Sequence, residues 1–263
     1  MAGLNPSLTQ LLSLKGRVAI VTGGSRGLGL QVAAALGEFG ARDVLIARDR
    51  DALDEAVAEL GTQNIRSQGV HADISDRDVS VELANQVMQE HGRIDILVNN
   101  AGAAWGAPAE DYPDQAWDKI IILNVTGLFA LTRAVARVAF LPEERGAVLN
   151  IASTEGLKGH HPSIVGTIAY NAAKGAVVNL TRPLAAEWGP KGVRVNAIAP
   201  GYFPTKMTRA TLGGHRDRLL DGTPLGKLGG PNDLKGAALL LASDAGGHIT
   251  GQILVVDGGA SVI

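Results

Sequence analysis

Residues 168–174, IAYNAAK, place a phenol and an ammonium four residues apart among small residues that favour helix. At that spacing Tyr170 and Lys174 lie on one helix face, so both side chains project into the same space. A phenol can give a proton to a carbonyl oxygen that gains negative charge, and a nearby cation lowers the pKa of the phenol. The same spacing also occurs by chance on ordinary surface helices. The pair therefore predicts acid–base chemistry only if other parts of the chain supply a reaction partner.

A glycine-rich turn near the N-terminus indicates what that partner is. The apolar run RVAIVT leads into TGGSRGLG at 22–29, and the helical pattern LQVAAALGEFG follows directly. Glycines at such a junction let the backbone approach a ligand closely, and a helix N-terminus offers N–H groups to a pyrophosphate. A ligand-free β–α turn is the plain alternative, but the order of strand, glycines and helix favours a dinucleotide. The predicted contacts in this turn are Gly23, Ser25, Arg26, Gly27, Leu28 and Gly29.

The end of the second apolar run bears on the choice between NADP(H) and NAD(H). An acidic residue there would bind a ribose 2′-hydroxyl, whereas an arginine would suit a 2′-phosphate. Ala47 stands where the acid is expected, Arg48 follows it, and Arg26 can add a second bidentate cation. We therefore expect NADP(H) to be preferred. NAD(H) stays possible, because Arg48 could be a solvated loop residue and Asp49 could take the place of the acid.

Apolar, β-rich runs alternate with helical patterns along the whole chain, which predicts a doubly wound parallel sheet with helices on both faces. We expect a single Rossmann-type α/β domain over 16–263, an N-terminal extension over 1–15, and a substrate loop or lid around 201–230. The predicted strands, about seven, lie at 17–22, 43–47, 65–73, 94–100, 146–152, 193–199 and 253–257. The predicted helices lie at 28–39, 51–60, 76–91, 114–140, 164–188 and 232–243.

Composition excludes several classes of function. The 263 residues are 46% hydrophobic and 19% charged, and the net charge of -2 includes no basic block, so we expect no nucleic-acid partner. Without cysteine there is no thiol catalysis and no cysteine-ligated metal. The N-terminus lacks a signal-peptide pattern, and the most apolar run, 120–129, is interrupted and too short for a bilayer. We expect a cytoplasmic protein with no membrane partner and no bound metal.

These motifs together resemble the short-chain dehydrogenase/reductases, and the resemblance covers nearly the whole chain. It rests on the glycine turn and the tyrosine–lysine pair together with Asp73, Asn99-Asn100-Ala101-Gly102, Asn124, Ser153 and Pro200-Gly201. The resemblance implies an oxidoreductase in which Tyr170 donates the proton and Ser153 polarises the carbonyl. It also implies that Lys174 tunes the phenol and that Asn124 maintains a proton-relay water.

The resemblance also extends the cofactor site. It implies that Asp73 contacts adenine, that the segment after the fourth strand lines the cofactor trough, and that Thr205 reaches the nicotinamide carboxamide. The further predicted contacts are Asp73, Ile74, Asn100, Ala101, Gly102, Tyr170, Lys174, Pro200, Gly201, Phe203 and Thr205. Family members of this kind form homotetramers, so a homotetramer or homodimer is expected through 114–140, 164–188 and the C-terminal segment 250–263.

The substrate is a small ketone or alcohol whose identity stays open. The segments AGAAWG and PGYFPTKMTR resemble those of bacterial 3-oxoacyl-thioester reductases, which favours a 3-oxoacyl substrate. The second alternative is a sugar-acid or polyol dehydrogenase such as a gluconate 5-dehydrogenase, which the scaffold also resembles. A dinucleotide-binding regulator without catalysis is a third alternative. The stretch TEGLKGHHPSIVGTIA between Ser153 and Tyr170 is longer than is usual in the family, which predicts a reshaped pocket. Its candidate walls are Trp105, Glu155, His160, Tyr202 and Met207, although His160 and His161 fit solvated loop residues equally well.

Overall fold

A seven-stranded parallel sheet forms the centre of the protein, in the strand order β3-β2-β1-β4-β5-β6-β7. The computed structural model describes residues 6–159, 164 and 166–263. The strands are β1 Val18–Thr22, β2 Arg42–Ala47, β3 Ser67–His71, β4 Ile96–Asn99, β5 Gly146–Ile151, β6 Val193–Pro200 and β7 Ile253–Val256. The chain order reverses between β1 and β4, so their carboxyl ends mark the point where open α/β sheets bind ligands.

Helices cover both faces of the sheet, and α2 packs on α9 while α4 packs on α6. The larger helices are α2 Gly27–Glu38, α3 Arg50–Thr62, α4 Arg77–His91, α5 Asp114–Ile121, α6 Leu128–Val135, α7 Ile168–Trp188, α8 Arg209–Asp221 and α9 Lys235–Ala242. A short α1, Leu8–Leu12, precedes them. The π-helical turns Ile122–Gly127 and Ala136–Phe140 join α5 and α6 into one helical segment over 114–140.

The burial of the central strands agrees with helices on both faces of the sheet. All residues of β1 and of β5 are buried, as strands with helices on both faces must be. The edge strand β3, SQGVH, is half-exposed and less apolar. The predicted fold class and all seven predicted strands are confirmed, with each strand lying inside or close to its predicted range.

One predicted helix start is wrong. The helix expected over 164–188 begins at Ile168, because Thr167 directly before it has a non-helical backbone (φ -114°, ψ 49°). The substrate lid expected around 201–230 stays a prediction. This segment contains α8, Arg209–Asp221, which bends at His215, where the backbone leaves helical geometry. The N-terminal extension contains α1, closed by a capping box between Ser7 and Gln10.

The helical segment 114–140 is longer than the apolar run 120–129 that was expected to be too short for a bilayer. Among the described residues it is long and apolar enough to span a bilayer, with a mean hydropathy of 1.5 in its most apolar window. However, 61% of that window is buried inside the protein. The core position of the segment accounts for its apolar character without a membrane.

Candidate active site

The glycine turn connects β1 to α2 and opens onto a cavity at the carboxyl ends of the strands. Gly23 and Gly27 have left-handed backbones, with φ of +63° and +57°, which residues with a side chain rarely adopt. The Asn100 amide donates to the Thr22 and Gly23 carbonyls at 2.9 and 3.1 Å, and so fixes the turn. No described side chain caps the first turn of α2. Its N–H groups are therefore available to an anion, as a pyrophosphate requires.

Gly29 packs closely against the backbone of this turn and does not itself line the cavity. A Cβ atom at Gly29 would overlap the Gly23 carbonyl oxygen and the Asn100 amide. Among the predicted contacts, Ser25, Arg26, Gly27 and Leu28 lie in the cavity wall with Gly23.

Two arginines mark one end of the cavity, and each is paired with a carboxylate. Arg26 binds Asp49 at 2.6 Å, and Arg48 lies 3.4 Å from Asp73. The backbone amide of Ala52 and the Arg26 guanidinium lower the pKa of Asp49. Burial raises the pKa of Asp73, but hydrogen bonds from Ser75 and the charge of Arg48 outweigh burial. The pKa of Asp73 is therefore lowered from its ordinary value. An anion bound at this end of the cavity would therefore compete with carboxylates for the two arginines.

The remaining predicted cofactor contacts follow the cavity from this end to the other. The Thr22 hydroxyl accepts from the backbone N–H groups of Asn100 and Ala101, which fixes the segment after β4. Thr205 hydrogen-bonds Thr208, and its methyl group would lie 3.6 Å from a Cβ placed on Gly27. The cavity wall also contains Asp73, Ile74, Gly102, Pro200, Gly201 and Phe203.

Tyr170, Lys174 and Ser153 meet at the opposite end. The Lys174 ammonium is 5.5 Å from the centre of the Tyr170 ring and is only 4% exposed. It donates to the Ile151 carbonyl at 2.6 Å, which ties α7 to the end of β5. Ser153 follows β5, is 6% exposed, and hydrogen-bonds to the Tyr170 phenol. The spacing on α7 and the end of β5 thus place a proton donor, a second hydrogen-bond donor and a cation together.

Burial disfavours the charged forms of both Tyr170 and Lys174. It raises the pKa of Tyr170 to about 12; hydrogen bonding from Ser153 lowers this pKa and the charge of Glu155 raises it. Burial lowers the pKa of Lys174 to about 8. The tuning of the phenol by Lys174 stays a prediction.

Asn124 lies behind the site, buried to 1% exposure in the π-helical turn after α5. Its side-chain amide binds Ala103 in both directions, since it accepts from the Ala103 N–H and donates to the Ala103 carbonyl, each at 2.9 Å. Asn124 is not part of the cavity wall. The contacts of its side chain thus hold the loop after β4, while a water relay through this residue stays a prediction.

The predicted pocket walls divide into three groups. Glu155, Tyr202 and Met207 line the cavity near Tyr170. Trp105 is 55% exposed and lies outside the cavity wall, because its loop turns outward and its carbonyl accepts from Tyr112. His160 lies outside the described residues.

Sequence reasoning missed Thr167, which lines the cavity, and Asn171, which connects Thr167 to Glu155. The Thr167 hydroxyl donates to Asn171 at 2.8 Å, and the Asn171 amide donates to the Glu155 carboxylate at 2.8 Å. The position of Asn171 directly after Tyr170 was the one available signal. Lys206 and Arg209 also line the cavity and were missed, since they lie in a segment without a clear pattern.

The cavity has a volume of about 1180 Å³ and is continuous from the arginines to Tyr170. Its uncapped helix N-terminus, glycine turn and paired cations fit an extended anionic dinucleotide. Within residues 6–159, 164 and 166–263, no group of three or more histidine, aspartate or glutamate side chains is placed to hold a metal ion.

Residues 23–261 match the family described as Enoyl-(Acyl carrier protein) reductase. The chain belongs to the short-chain dehydrogenase/reductase family. Among relatives, this short-chain dehydrogenase/reductase is 41% identical to galactitol 2-dehydrogenase (L-tagatose-forming) of Cereibacter sphaeroides, over 95% of this chain and 96% of that protein. It is 37% identical to the rhamnolipids biosynthesis 3-oxoacyl-[acyl-carrier-protein] reductase of Pseudomonas aeruginosa, over 94% and 97% of the two chains.

A gluconate 5-dehydrogenase from Burkholderia cenocepacia, solved in complex with NADP and tartrate, has a similar structure. The TM-score is 0.92 at 32% sequence identity, with 98% of this chain and 100% of that chain covered. The similarity therefore covers the whole cavity of this short-chain dehydrogenase/reductase. The chain is thus an oxidoreductase of this family, and its relatives act on different substrates.

Proposed function

We propose that this protein is a cytoplasmic, NADP(H)-dependent oxidoreductase that interconverts a secondary alcohol and a ketone. One observation carries the proposal: a single cavity has Arg26 and Arg48 at one end and Tyr170, Ser153 and Lys174 at the other. A dinucleotide that spans the cavity would present its nicotinamide to the phenol. A binding module without catalysis has no need for a buried donor, a second donor and a cation together.

In this proposal the chain's own residues manage the charge on the carbonyl oxygen. The bound reduced nicotinamide supplies a hydride to the carbonyl carbon. Ser153 donates a hydrogen bond to the oxygen as negative charge develops there, and Tyr170 gives it a proton. Lys174 holds a positive charge 5.5 Å from the ring and stabilises the phenolate that remains. In alcohol oxidation the same groups act in reverse.

The preference for NADP(H) rests on the two arginines beside the end of β2. Arg26 and Arg48 flank the position of a 2′-phosphate, and neither Asp49 nor Asp73 is free of an arginine partner. A phosphate would replace carboxylates as the partner of a bidentate guanidinium. The NADP complex of the gluconate 5-dehydrogenase supports the same assignment.

Among substrates, the polar wall beside Tyr170 favours a polyol or a sugar derivative. Glu155, Thr167 and Tyr202 line the cavity with hydrogen-bonding groups, and the Asn171 amide donates to the Glu155 carboxylate. A 3-oxoacyl thioester is the second candidate, supported by the exposed apolar side chain of Met207 in the cavity wall. The acyl chain of such a substrate would have little use for four polar side chains.

We also propose that the protein works as a homodimer or homotetramer. The helical segment 114–140 exposes Trp117, Ile122 and Phe129, with exposed fractions of 38%, 44% and 38%. Ile168 at the start of α7 is exposed to the same degree and belongs to the second expected interface element. A second copy of the chain would cover these side chains by an isologous contact.

The test is a substrate screen with purified protein, read by NADPH absorbance, with NADH measured in parallel. Ketoses, other ketones and 3-oxoacyl thioesters are tested as substrates for reduction with NADPH. Polyols are tested as substrates for oxidation with NADP+. Turnover with NADPH supports the proposal. Tight NADPH binding with no turnover of any substrate would point to the non-catalytic dinucleotide-binding regulator instead.

A further inference from the structure

A carboxylate lies in the cavity close to the reacting groups and takes no part in the proton transfer described above. Glu155 is the second residue after Ser153, in the short helical turn Thr154–Gly156. The Asn171 amide donates to the Glu155 side chain at 2.8 Å and to its backbone carbonyl at 2.9 Å. The Tyr202 hydroxyl approaches the other carboxylate oxygen at 3.4 Å. The carboxylate is therefore held in place from two elements.

The charge of this carboxylate acts on both phenols that surround it. Besides burial, which is the larger cause, Glu155 raises the pKa of Tyr170 and of Tyr202, each to about 12. An acid that served only to join α7 to the turn 154–156 would not need to lie this close to the proton donor. The position of Glu155 instead places a negative charge in the cavity wall, near enough to act on the Tyr170 phenol.

We propose that Glu155 is a specificity-determining residue whose carboxylate accepts a hydrogen bond from a hydroxyl group next to the reacting carbon of a neutral polyol or ketose. The inference rests on the proposed alcohol–ketone activity of this cavity. The Tyr202 contact is at the long end of the hydrogen-bond range, so a substrate hydroxyl can compete for that oxygen. Asn171 and Tyr202 are positioning residues, since they act through Glu155.

The same carboxylate disfavours sugar acids, because a substrate carboxylate would bring a second negative charge into the cavity. The cations nearby do not offset this effect at the reacting end. Lys174 is bound to the Ile151 carbonyl, and Lys206 lies near enough to Asp49 to act on its carboxylate at the adenosine end. Arg209, at the exposed start of α8, is the cation that could hold a substrate carboxylate, so it enters the test.

The experiment compares kcat/KM for two matched pairs, D-glucitol with D-gluconate and galactitol with D-galactonate, each with saturating NADP+. The members of a pair differ only in a terminal hydroxymethyl or carboxylate group. The wild-type enzyme is expected to prefer the neutral member. Glu155→Gln, which keeps the shape and removes the charge, should reduce kcat/KM for the polyol about 10- to 100-fold, mainly through KM, while the sugar acid is unchanged or improved.

A second readout separates this role from a structural one. Because the charge of Glu155 raises the pKa of Tyr170, Glu155→Gln should move the rising limb of the oxidation pH profile to lower pH. Glu187→Gln removes an exposed acid from the same helix α7, outside the cavity, and should change neither the pH profile nor the substrate ratio. Fluorescence titration with NADPH checks that each variant is folded and binds the cofactor.

The outcomes separate the inference from the proposed function. A wild-type enzyme that prefers the sugar acid, and loses that preference in Arg209→Ala, would overturn the role of Glu155 while the oxidoreductase function stands. An unchanged substrate ratio and pH profile in Glu155→Gln would also overturn it. If wild-type protein turns over neither these pairs nor any ketone in the wider screen, the proposed function itself fails and the inference falls with it.

Discussion

At the scale of residues, burial opposes the charged forms of both the acid and the cation of the site. Burial raises the pKa of Tyr170 to about 12 and lowers the pKa of Lys174 to about 8. The phenol is thus a proton donor throughout the physiological range, as ketone reduction requires. Alcohol oxidation requires the phenolate, which is scarce at neutral pH.

This difference predicts opposite pH dependences for the two directions. The pKa of Tyr170 lies above the physiological range. Below this pKa, the fraction of phenolate increases about tenfold for each unit by which the pH rises. With saturating cofactor, kcat/KM for alcohol oxidation should increase from pH 6 to 9, whereas ketone reduction should not gain over that range. Initial rates in both directions provide the measurement. An oxidation rate that is flat from pH 6 to 9 would show that Tyr170 is not the base.

A second prediction concerns the arginine at the end of β2. Arg48→Ala should weaken NADPH binding about 10- to 100-fold and change NADH binding little, because only NADPH carries the 2′-phosphate. Arg50→Ala is the matched control, since Arg50 is exposed at the start of α3 and does not line the cavity. Fluorescence titrations with both cofactors measure the effect. Equal weakening of NADPH and NADH would reject the 2′-phosphate role.

At the scale of elements, β2 carries a buried acid whose cost to the fold can be measured. Asp43, near the start of β2, is fully buried, and neither carboxylate oxygen has a hydrogen-bond partner among the described residues. The Gly37 backbone and Ile65 pack closely against it. Burial raises the pKa of Asp43 well above its ordinary value, so the folded chain holds a proton that the unfolded chain releases.

The sign of the resulting pH dependence follows from linkage. The folded-state pKa is raised, so the stability contributed by this proton is fully present below about pH 4 and is lost as the pH rises, by about 1.4 kcal/mol per unit. Asp43→Asn, which cannot ionise, should therefore be more stable than wild type at pH 7 and should depend less on pH between 4 and 7. Urea unfolding across this range tests it, with the exposed Asp54→Asn as control. A variant less stable than wild type at pH 7 would contradict the account.

The elements that repeat a simple pattern could be predicted from the sequence, and those that depend on tertiary contacts could not. Short β-rich runs predicted all seven strands, and the signal is continuous where both faces of a strand are buried, as in β1 and β5. The spacing of Tyr170 and Lys174 predicted their common helix face. The contact of Glu155 with Asn171 joins residues from two elements, and only the folded chain shows which residues meet there. The start of α7 was missed because the apolar pattern continues past the helix boundary.

At the scale of the whole molecule, one cavity serves both the cofactor and the substrate, and the exposed apolar helix faces lie outside it. Ile122 and Phe129 are exposed residues within the segment 114–140, and neither is part of the cavity wall. The assembly can therefore be perturbed without a direct change to the site.

We expect Ile122→Glu and Phe129→Glu to reduce the molar mass in solution, because each places a charge in the proposed contact between copies. Val81→Glu is the matched control, since Val81 is an exposed apolar residue of α4 with an exposed fraction of 47%. Light scattering coupled to size exclusion gives the mass. A wild-type protein that elutes as a monomer would overturn the proposed assembly.

The most direct test of the central claim is the rate of NADPH oxidation by wild-type protein and by Tyr170→Phe, measured with the best ketone from the substrate screen. The phenylalanine keeps the ring in place and removes the donated proton. The account predicts turnover by the wild-type protein and a decrease of about 10²- to 10⁴-fold in kcat for the variant, with NADPH affinity retained. Near-normal turnover by Tyr170→Phe would contradict it.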